Sequence, residues 1–329
     1  MKKEIVVLVA IIAALGAYIA LQRSDQVQYQ LPELALIEPD SITRIEISNG
    51  EKAVVLDRAA DDIWQVGEAK YKADAHKAER IVEVISALRL TTLVAESEDY
   101  HRFALDPEQR VRVKAWVGED LKRTFDVGKA ADTFRHTFVK LEGDPRVFHA
   151  EKNFQEWFKV STEDLRDKRV LSFDEAKIER IVLTHKGKSV AFIRSAVATE
   201  QEKEEASAKA DEDTLENAVP TDTWQTEDGL PADATKVATL LSLLASLDCQ
   251  RFLGENPTSA PEFEIALYGE DETHTLTIYH KVEIDEQTLW PATSSQSASA
   301  FELPDWKAQD IIKVPDDLLI QAPDNETQE

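Results

Sequence analysis

The chain has 329 residues, with 63 acidic and 38 basic side chains, a formal net charge of -25 and a single cysteine. A charge this negative repels phosphate backbones, so the sequence predicts no nucleic-acid partner. Cys249 alone cannot form an internal disulfide or a cysteine-rich zinc site. The length, together with 43% apolar residues, predicts two domains of ordinary size that each bury a core.

The N-terminal segment carries an uncharged apolar run from Ile5 to Leu21, which follows Lys2 and Lys3. A helix over this run would span about 25 Å, slightly less than the ~30 Å of a bilayer's hydrocarbon core. The two lysines favour a cytoplasmic N-terminus. We therefore predict a single uncleaved transmembrane anchor over residues 1–22, in the cytoplasmic membrane, with the folded part periplasmic or otherwise extracytoplasmic. A cleaved signal peptide shares these features and is the alternative.

An internal repeat organises the rest of the chain. Residues 73–77 (ADAHK) match residues 232–236 (ADATK) at an offset of 159, and each match begins an apolar stripe with helical spacing. The first stripe is Ala78, Ile81, Val82, Ile85 and Leu88, and the second is Val237, Leu240, Leu241, Leu244 and Leu247. Asp74 and Asp233 stand where an N-cap would be, so each copy predicts an amphipathic helix with its own start.

Strand signals flank both helices. A hairpin precedes each helix, at residues 42–58 and 178–194, and a tryptophan follows each hairpin. Strands with alternating polarity follow each helix, at residues 111–127 and 263–278. We therefore predict an α+β fold of two tandem, duplicated modules, each an antiparallel sheet covered by one amphipathic helix. The expected core anchors of these modules are Trp64, Ile81, Ile85, Trp224, Leu240 and Leu244.

The predicted domain organisation follows from composition. A stalk over residues 23–39 would precede a first module at 40–170 and a second module at 171–312. Residues 196–219 are acidic and lack aromatic side chains, so we expect a disordered insertion there. Residues 313–329 are expected to form an acidic tail, and the polar stretch 163–169 is interpreted as a connector.

Sequence motifs for chemistry are lacking. The chain contains no nucleophile elbow, phosphate-binding glycine loop or zinc-binding helix motif, so we predict no catalytic, cofactor-binding or metal-binding residues. His274 and His280 would face the same side of a strand, which favours an exposed surface over a metal site. Cys249 is interpreted as a small buried hydrophobe. The repeated Trp64 and Trp224 are interpreted as core residues in preference to a sugar-binding platform.

Several segments resemble one bacterial family. They are Ile42–Ile47, Trp64, Tyr71–Asp74, Leu105–Pro107, the strands around Gly118–Val127, and Asp164–Lys168, together with the N-terminal apolar run. With these features the chain resembles the family called domain of unknown function 4340. The resemblance implies an accessory envelope protein, because members are often encoded beside an ABC transporter of the gliding-motility type. It supplies no catalytic residues.

Two functions are therefore expected as alternatives. The first is a non-enzymatic, membrane-anchored accessory protein that binds a component of an ABC-type envelope transporter. The second is an envelope module that binds a glycan or another small ligand. The second function needs exposed aromatic side chains, for which Trp116, Trp290 and Trp306 are the candidates.

Overall fold

The computed structural model describes residues 11–18, 30–50, 52–96, 99–195, 223–284, 286–313 and 315–320. The chain divides into two compact units, Met1–Asp167 and Lys168–Glu329, which are called the first and second unit below. The predicted anchor residues Ile5 and Leu21, and the predicted insertion 196–219, lie outside the described residues. Residues 11–18 are helical, and no helix in the described ranges has both the length and the apolar character needed to cross a bilayer.

The first unit is built on a nine-stranded antiparallel sheet. Its strands are β1 (Arg44–Asn49), β2 (Lys52–Arg58), β3 (Trp64–Val66), β4 (Tyr71–Lys72), β5 (Leu90–Ala95), β6 (Val111–Val117), β7 (Asp120–Ala130), β8 (Thr137–Leu141) and β9 (Val147–Ala150). They lie in the order β4-β3-β2-β1-β6-β7-β8-β9-β5. The two hairpins β1–β2 and β6–β7 form the centre because their alternating apolar residues bury one continuous face.

Helices cover only part of this sheet. They are α1 (Ala75–Ser86), α2 (Gln155–Phe158) and α3 (Thr162–Leu165), with 3-10 turns at Pro39–Ser41 and Tyr100–Phe103. The predicted N-cap of α1 is confirmed, because the Asp74 carboxylate accepts a hydrogen bond from the Lys77 N–H at 3.1 Å. Trp64, Ile81 and Ile85 are all buried in the core between α1 and the sheet.

The second unit is built on a ten-stranded sheet and a separate strand pair. Its strands are β10 (Arg169–Ser172), β11 (Ile178–His185), β12 (Lys188–Ser195), β13 (Thr223–Thr226), β14 (Pro231–Ala232), β15 (Ser246–Asp248), β16 (Arg251–Phe252), β17 (Pro261–Gly269), β18 (Thr273–Tyr279), β19 (Val282–Ile284), β20 (Gln287–Ser294) and β21 (Phe301–Pro304). The large sheet has the order β14-β13-β12-β11-β17-β18-β20-β21-β16, with β19 paired to β20, whereas β10 pairs with β15.

The second unit has two helices, α4 (Ala234–Ala245) and α5 (Asp305–Ile311), with 3-10 turns at Glu175–Lys177 and Pro315–Leu318. The predicted N-cap of α4 is also confirmed. The Asp233 carboxylate accepts hydrogen bonds from the N–H groups of Thr235 at 3.0 Å and Lys236 at 3.2 Å. Trp224, Leu240 and Leu244 lie buried in the core beneath α4.

The two large sheets repeat the same strand order position for position, with β19 as an addition in the second unit. The ends of the units repeat as well. The Asp74 N–H donates to the Leu165 carbonyl in the first unit, and the Asp233 N–H donates to the Leu318 carbonyl in the second, each at 2.8 Å. A short segment therefore closes each unit by binding the start of its long helix.

The fold class predicted from the sequence is wrong. The chain consists mainly of two large antiparallel sheets, and no transmembrane-capable helix precedes them in the described ranges. A nine-stranded sheet is about 38 Å wide at ~4.8 Å per strand spacing, whereas the twelve residues of α1 extend about 18 Å. One such helix cannot cover the sheet. Short strands that the sequence patterns do not predict, such as β5 and β16, widen each sheet.

Two polar segments also differ from expectation. Residues 163–169, interpreted as a connector, contain the end of α3, and Leu165 is buried in the first core. Residues 315–320, expected to begin an acidic tail, fold against the second unit and bury Leu318. Leu165 anchors the first segment, and Leu318 together with the partly buried Leu319 anchors the second, which is too weak a pattern among acidic residues for a composition argument to detect.

Candidate functional site

The repeated tryptophans have a structural role. The Arg58 guanidinium lies 5.7 Å from the Trp64 ring centre, and that of Arg194 lies 5.3 Å from the Trp224 ring centre. Each arginine also donates to the 3-10 turn ahead of its sheet, at the Asp40 carbonyl (2.7 Å) and the Ala176 carbonyl (2.6 Å). Because both rings are buried beneath these arginines, neither presents a face for a sugar.

The other candidate aromatic residues differ in exposure. Trp116 and Trp290 are half-buried, and the Trp290 Nε1–H donates to the Asp305 carboxylate at 2.8 Å. Trp306 is 63% exposed, beside Thr239 and Ser242 of α4. A sugar platform in the second unit would therefore rest on Trp306 alone among these three.

The two histidines singled out by spacing have different surroundings. His274 is buried and stacks on Phe173 with a centroid distance of 5.3 Å, so its assignment to an exposed surface is wrong. The His280 imidazole is exposed and contacts the Glu262 carboxylate. Across the described ranges, no group of three histidine, cysteine or acidic side chains is placed to hold a metal ion. Cys249 is buried.

A charged cluster on the first sheet is a structural ion network. The Asp126 carboxylate is 2% exposed and binds the guanidinium groups of Arg110 at 3.0 Å and Arg112 at 2.8 Å. The Lys140 ammonium lies 3.9 Å away. The hydrogen bond that Arg112 donates to the Asp126 carboxylate raises the pKa of Arg112 above its ordinary value. The cluster provides ion-pair partners for a buried carboxylate, and it links β6, β7 and β8.

The edge formed by β5 is the most unusual surface of the first unit. β5 ends the nine-stranded sheet and pairs with β9 through Thr92 opposite His149 and Leu93 opposite Phe148. Its sequence, Leu90-Thr-Thr-Leu-Val-Ala95, contains neither a charge nor a proline. Natural edge strands are usually shortened, charged, bulged or covered, because their free N–H and C=O groups can pair with another chain. The pairing of β5 with β9 shifts register between Leu90 and Thr92 and again between Leu93 and Ala95, so bulges are the one such feature that β5 shows.

The other three ends of the two large sheets are protected. At β4, the Asp167 N–H donates to the Lys72 carbonyl at 2.8 Å, and at β14 the Ile320 N–H donates to the Pro231 carbonyl at 3.2 Å. The remaining end, β16, has two residues, and its Arg251 is bonded to the buried Glu302. The β5 edge is therefore the one sheet end in the described ranges that is long, uncharged and not covered in this way.

An open cavity of about 1100 Å³ adjoins the start of β5. It lies between residues 30–36 and residues 87–90, and is called the entry slot here. Its walls are Gln30, Leu31, Pro32, Glu33, Leu34, Leu36, Ala87, Leu88, Arg89, Leu90 and Glu151. Six of these residues are leucine or proline, so the slot offers apolar contact beside a free strand edge.

Arg123 holds the two sides of the entry slot together at its base. Its guanidinium donates to the carbonyls of Ile85 and Ser86 at the end of α1 and to that of Ala35 across the slot. The Ile37 N–H donates to the Ser86 carbonyl at 3.2 Å, and beyond this bond the described segments separate. Burial lowers the pKa of Arg123 from its ordinary value, and the negative end of the α1 dipole favours its positive charge.

In the second unit, a pair of strands fills the place that corresponds to the entry slot. There β10 pairs with β15 directly after α4, and Val170 and Leu171 are fully buried. The Gln296 side chain accepts from the Ser172 N–H at 2.9 Å and donates to the Ser172 carbonyl at 2.7 Å. The entry slot thus lies where the second unit has the β10–β15 strand pair. Spacing alone did not reveal it, because Leu34–Leu36 and β10 have no common sequence signature.

No curated protein and no solved structure matches the chain. A family model described as Domain of unknown function (DUF4340) matches residues 64–262, which is more than half of the chain. The match runs from the tryptophan of β3 into β17, and so includes α1, the β5 edge and the hairpin of the second sheet. The chain therefore belongs to the DUF4340 family.

Proposed function

We propose that this protein is a non-enzymatic accessory protein that binds a component of an ABC-type envelope transporter outside the cytoplasm. The observation that carries the proposal is the β5 edge with its adjoining entry slot. A strand edge that has no partner strand in the described ranges, beside a cavity lined in part by leucines, is a surface that a protein partner can complete with backbone hydrogen bonds. The family resemblance supports a transporter component as that partner.

The location is supported by the charge pattern of the N-terminus. Lys2 and Lys3 precede an uncharged run, which is the pattern of exported chains. A fusion of alkaline phosphatase, which is active only outside the cytoplasm, to the C-terminus tests this location. We expect an active fusion, and an inactive fusion at normal expression would contradict the proposed location.

The binding function is tested by photo-crosslinking at native expression. A photoreactive amino acid at Thr92, on the β5 edge, should capture an ATPase-associated permease or another transporter subunit from solubilised membranes. The matched control places the same amino acid at Thr235, an exposed residue of α4. Recovery of the uncrosslinked protein alone from both variants would overturn the proposal.

One observation favours the alternative function of glycan binding. Trp306 is exposed, and the hydroxyl-bearing Thr239 and Ser242 lie beside it, a combination that suits the apolar face and hydroxyl groups of a sugar. Saccharide titration monitored by tryptophan fluorescence tests this alternative. A saturable change that is lost in Trp306→Ala and kept in Trp116→Ala would support it, and no change with any envelope saccharide would reject it.

A further inference from the structure

We propose that the partner contributes an extended segment, rich in apolar and β-branched residues and flanked by basic residues, that pairs along the β5 edge as a tenth strand. This inference rests on the proposed function and adds the chemistry of the partner. It predicts that recognition occurs through main-chain hydrogen bonds, with side chains alternating between the two faces of the extended sheet.

Two other sheet ends are covered by backbone from the same chain, and this supports the addition of a strand at β5. At β4 the chain adds its own backbone, through a bridge between Ala73 and Arg166, and at β14 it does so through a bridge between Ala232 and Leu319. In both units, a later segment of the same chain therefore pairs with the strand at one end of the sheet. β5 is longer than β4 or β14, and it lacks the equivalent cover in the described ranges.

The side chains of β5 suit an added strand. Leu93, Val94 and Ala95 are half-buried, and Thr92 is exposed. Cross-strand pairs of threonine and β-branched residues stabilise neighbouring strands, whereas a charge on β5 would have to be desolvated. The entry slot extends this surface at Leu90, and its Leu36, which is 81% exposed, can contact an apolar side chain at the end of the added segment.

Charge favours a basic partner over a second copy of this chain. Two chains with a net charge of -25 repel each other, and Glu33, Glu96 and Glu151 lie at the ends of the proposed surface. Two of them have basic neighbours: the Arg89 guanidinium lies 3.8 Å from the Glu151 carboxylate, and Arg146 interacts electrostatically with Glu96. A segment with basic flanks would be attracted to these ends, and the attraction would weaken as salt screens it.

The test uses the full chain and a probe peptide, Lys-Thr-Val-Thr-Val-Lys-amide with a fluorophore on its N-terminus, and binding is measured by fluorescence anisotropy. We expect saturable binding at low salt. The acidic counterpart with glutamate at both ends should bind at least tenfold more weakly. Equal binding of both peptides, or no binding of the basic peptide, would overturn the proposal.

Two neighbouring proline variants test the backbone role. The N–H groups of Thr92 and Leu93 point to opposite sides of β5, because neighbouring residues of a strand alternate. One of Thr92→Pro and Leu93→Pro therefore removes a donor facing the partner, and the other removes a donor facing β9. We expect one variant to keep its thermal unfolding midpoint and lose peptide binding at least tenfold. Thr92→Ser is the matched control and should bind as the unsubstituted chain does.

Three further results would separate this inference from the proposed function. If the folded proline variant still captures a transporter subunit at full yield, strand addition is wrong and the accessory function stands. If the peptide binds as expected but no transporter subunit is recovered, the edge binds strands and the accessory function is wrong. If sedimentation shows a dimer that Thr92→Lys abolishes, the occupant is a second copy and the basic partner is rejected.

Discussion

Arg123 and His274 occupy the same position of the repeated sheet. Arg123 lies opposite Ala115, as His274 lies opposite Leu267, and these partners in turn face Ile45 and Ile181 of the first strands. In the second unit the imidazole stacks on the residue that follows β10, and the strand pair is closed. In the first unit the longer guanidinium reaches three carbonyls and stands at the base of the open entry slot.

Replacing Arg123 should destabilise the first unit. Arg123→Met removes the donor from buried carbonyls at the end of α1, and each unsatisfied buried carbonyl costs about 1–3 kcal/mol. We expect a loss of about 2–4 kcal/mol in the free energy of urea-induced unfolding, because the variant exposes more than one carbonyl. Arg89→Met is the matched control on an exposed side chain and should change stability by no more than about 0.5 kcal/mol. Equal effects of the two substitutions would contradict the role given to Arg123.

The N-caps of the two long helices should each contribute to the free energy of unfolding. Asp74→Ala and Asp233→Ala each remove the side-chain acceptor of a cap, which typically costs about 1 kcal/mol. The Asp233 substitution should cost more, because its carboxylate accepts from two N–H groups. Thermal unfolding of both variants measures the loss, and Asp→Asn at each position should recover most of it. A cap variant with unchanged stability would show that tertiary contacts alone hold that helix start.

Acid should destabilise the first unit through His149. Burial, and secondly the neighbouring His136, lower the pKa of His149 from its ordinary value, so the folded protein binds this proton less readily than the unfolded chain. The two states do not differ in this group well above pH about 6.5, and stability is lost as the pH falls below it. The urea midpoint of His149→Gln should therefore fall less between pH 7.5 and pH 5 than that of the unsubstituted protein. His76→Gln, a substitution on an exposed side chain, is the matched control, and an equal effect of the two substitutions would contradict the role given to His149.

A glycine fixes the loop that covers the outer face of the first sheet. A Cβ atom at Gly128 would lie 2.2 Å from the Phe103 carbonyl oxygen and 2.9 Å from the Leu105 side chain. Gly128→Ala should therefore displace the loop and cost about 1–3 kcal/mol, as overpacking does. Gly254→Ala, which meets no atom within 4 Å, is the control and should be close to neutral. Proteolysis within the Phe103–Leu105 loop should increase in the first variant alone.

The sequence predicted local structure well where a residue pattern has a local cause. The stripe from Ala78 to Ile85 and the cap at Asp74 place α1, and the same spacing places α4. Hairpins around β1–β2 and β6–β7 were also predicted, since alternating side chains and turn glycines act over a few residues. The transporter link stays a prediction, because no sequence motif or contact reports on it.

The candidate site was invisible to the same reasoning. β5 consists of two threonines and four apolar residues, a pattern that occurs in many segments. It is an edge strand only because β9 pairs with one of its sides. The entry slot depends on residues 30–36 meeting residues 87–90, which are more than fifty positions away in the chain. Such surfaces depend on which elements meet, and pairwise spacing contains no information about that.

The sequence by itself determined the duplication, the two capped helices and the apolar faces that form each core, because each of these follows from short-range periodicity. Only the tertiary structure decided the size of the sheets, the burial of Leu165 and Leu318, and the difference between the closed strand pair and the open slot. The reason is that sheet edges are set by hydrogen bonds between distant segments. The backbone groups that form those bonds are the same in every residue except proline.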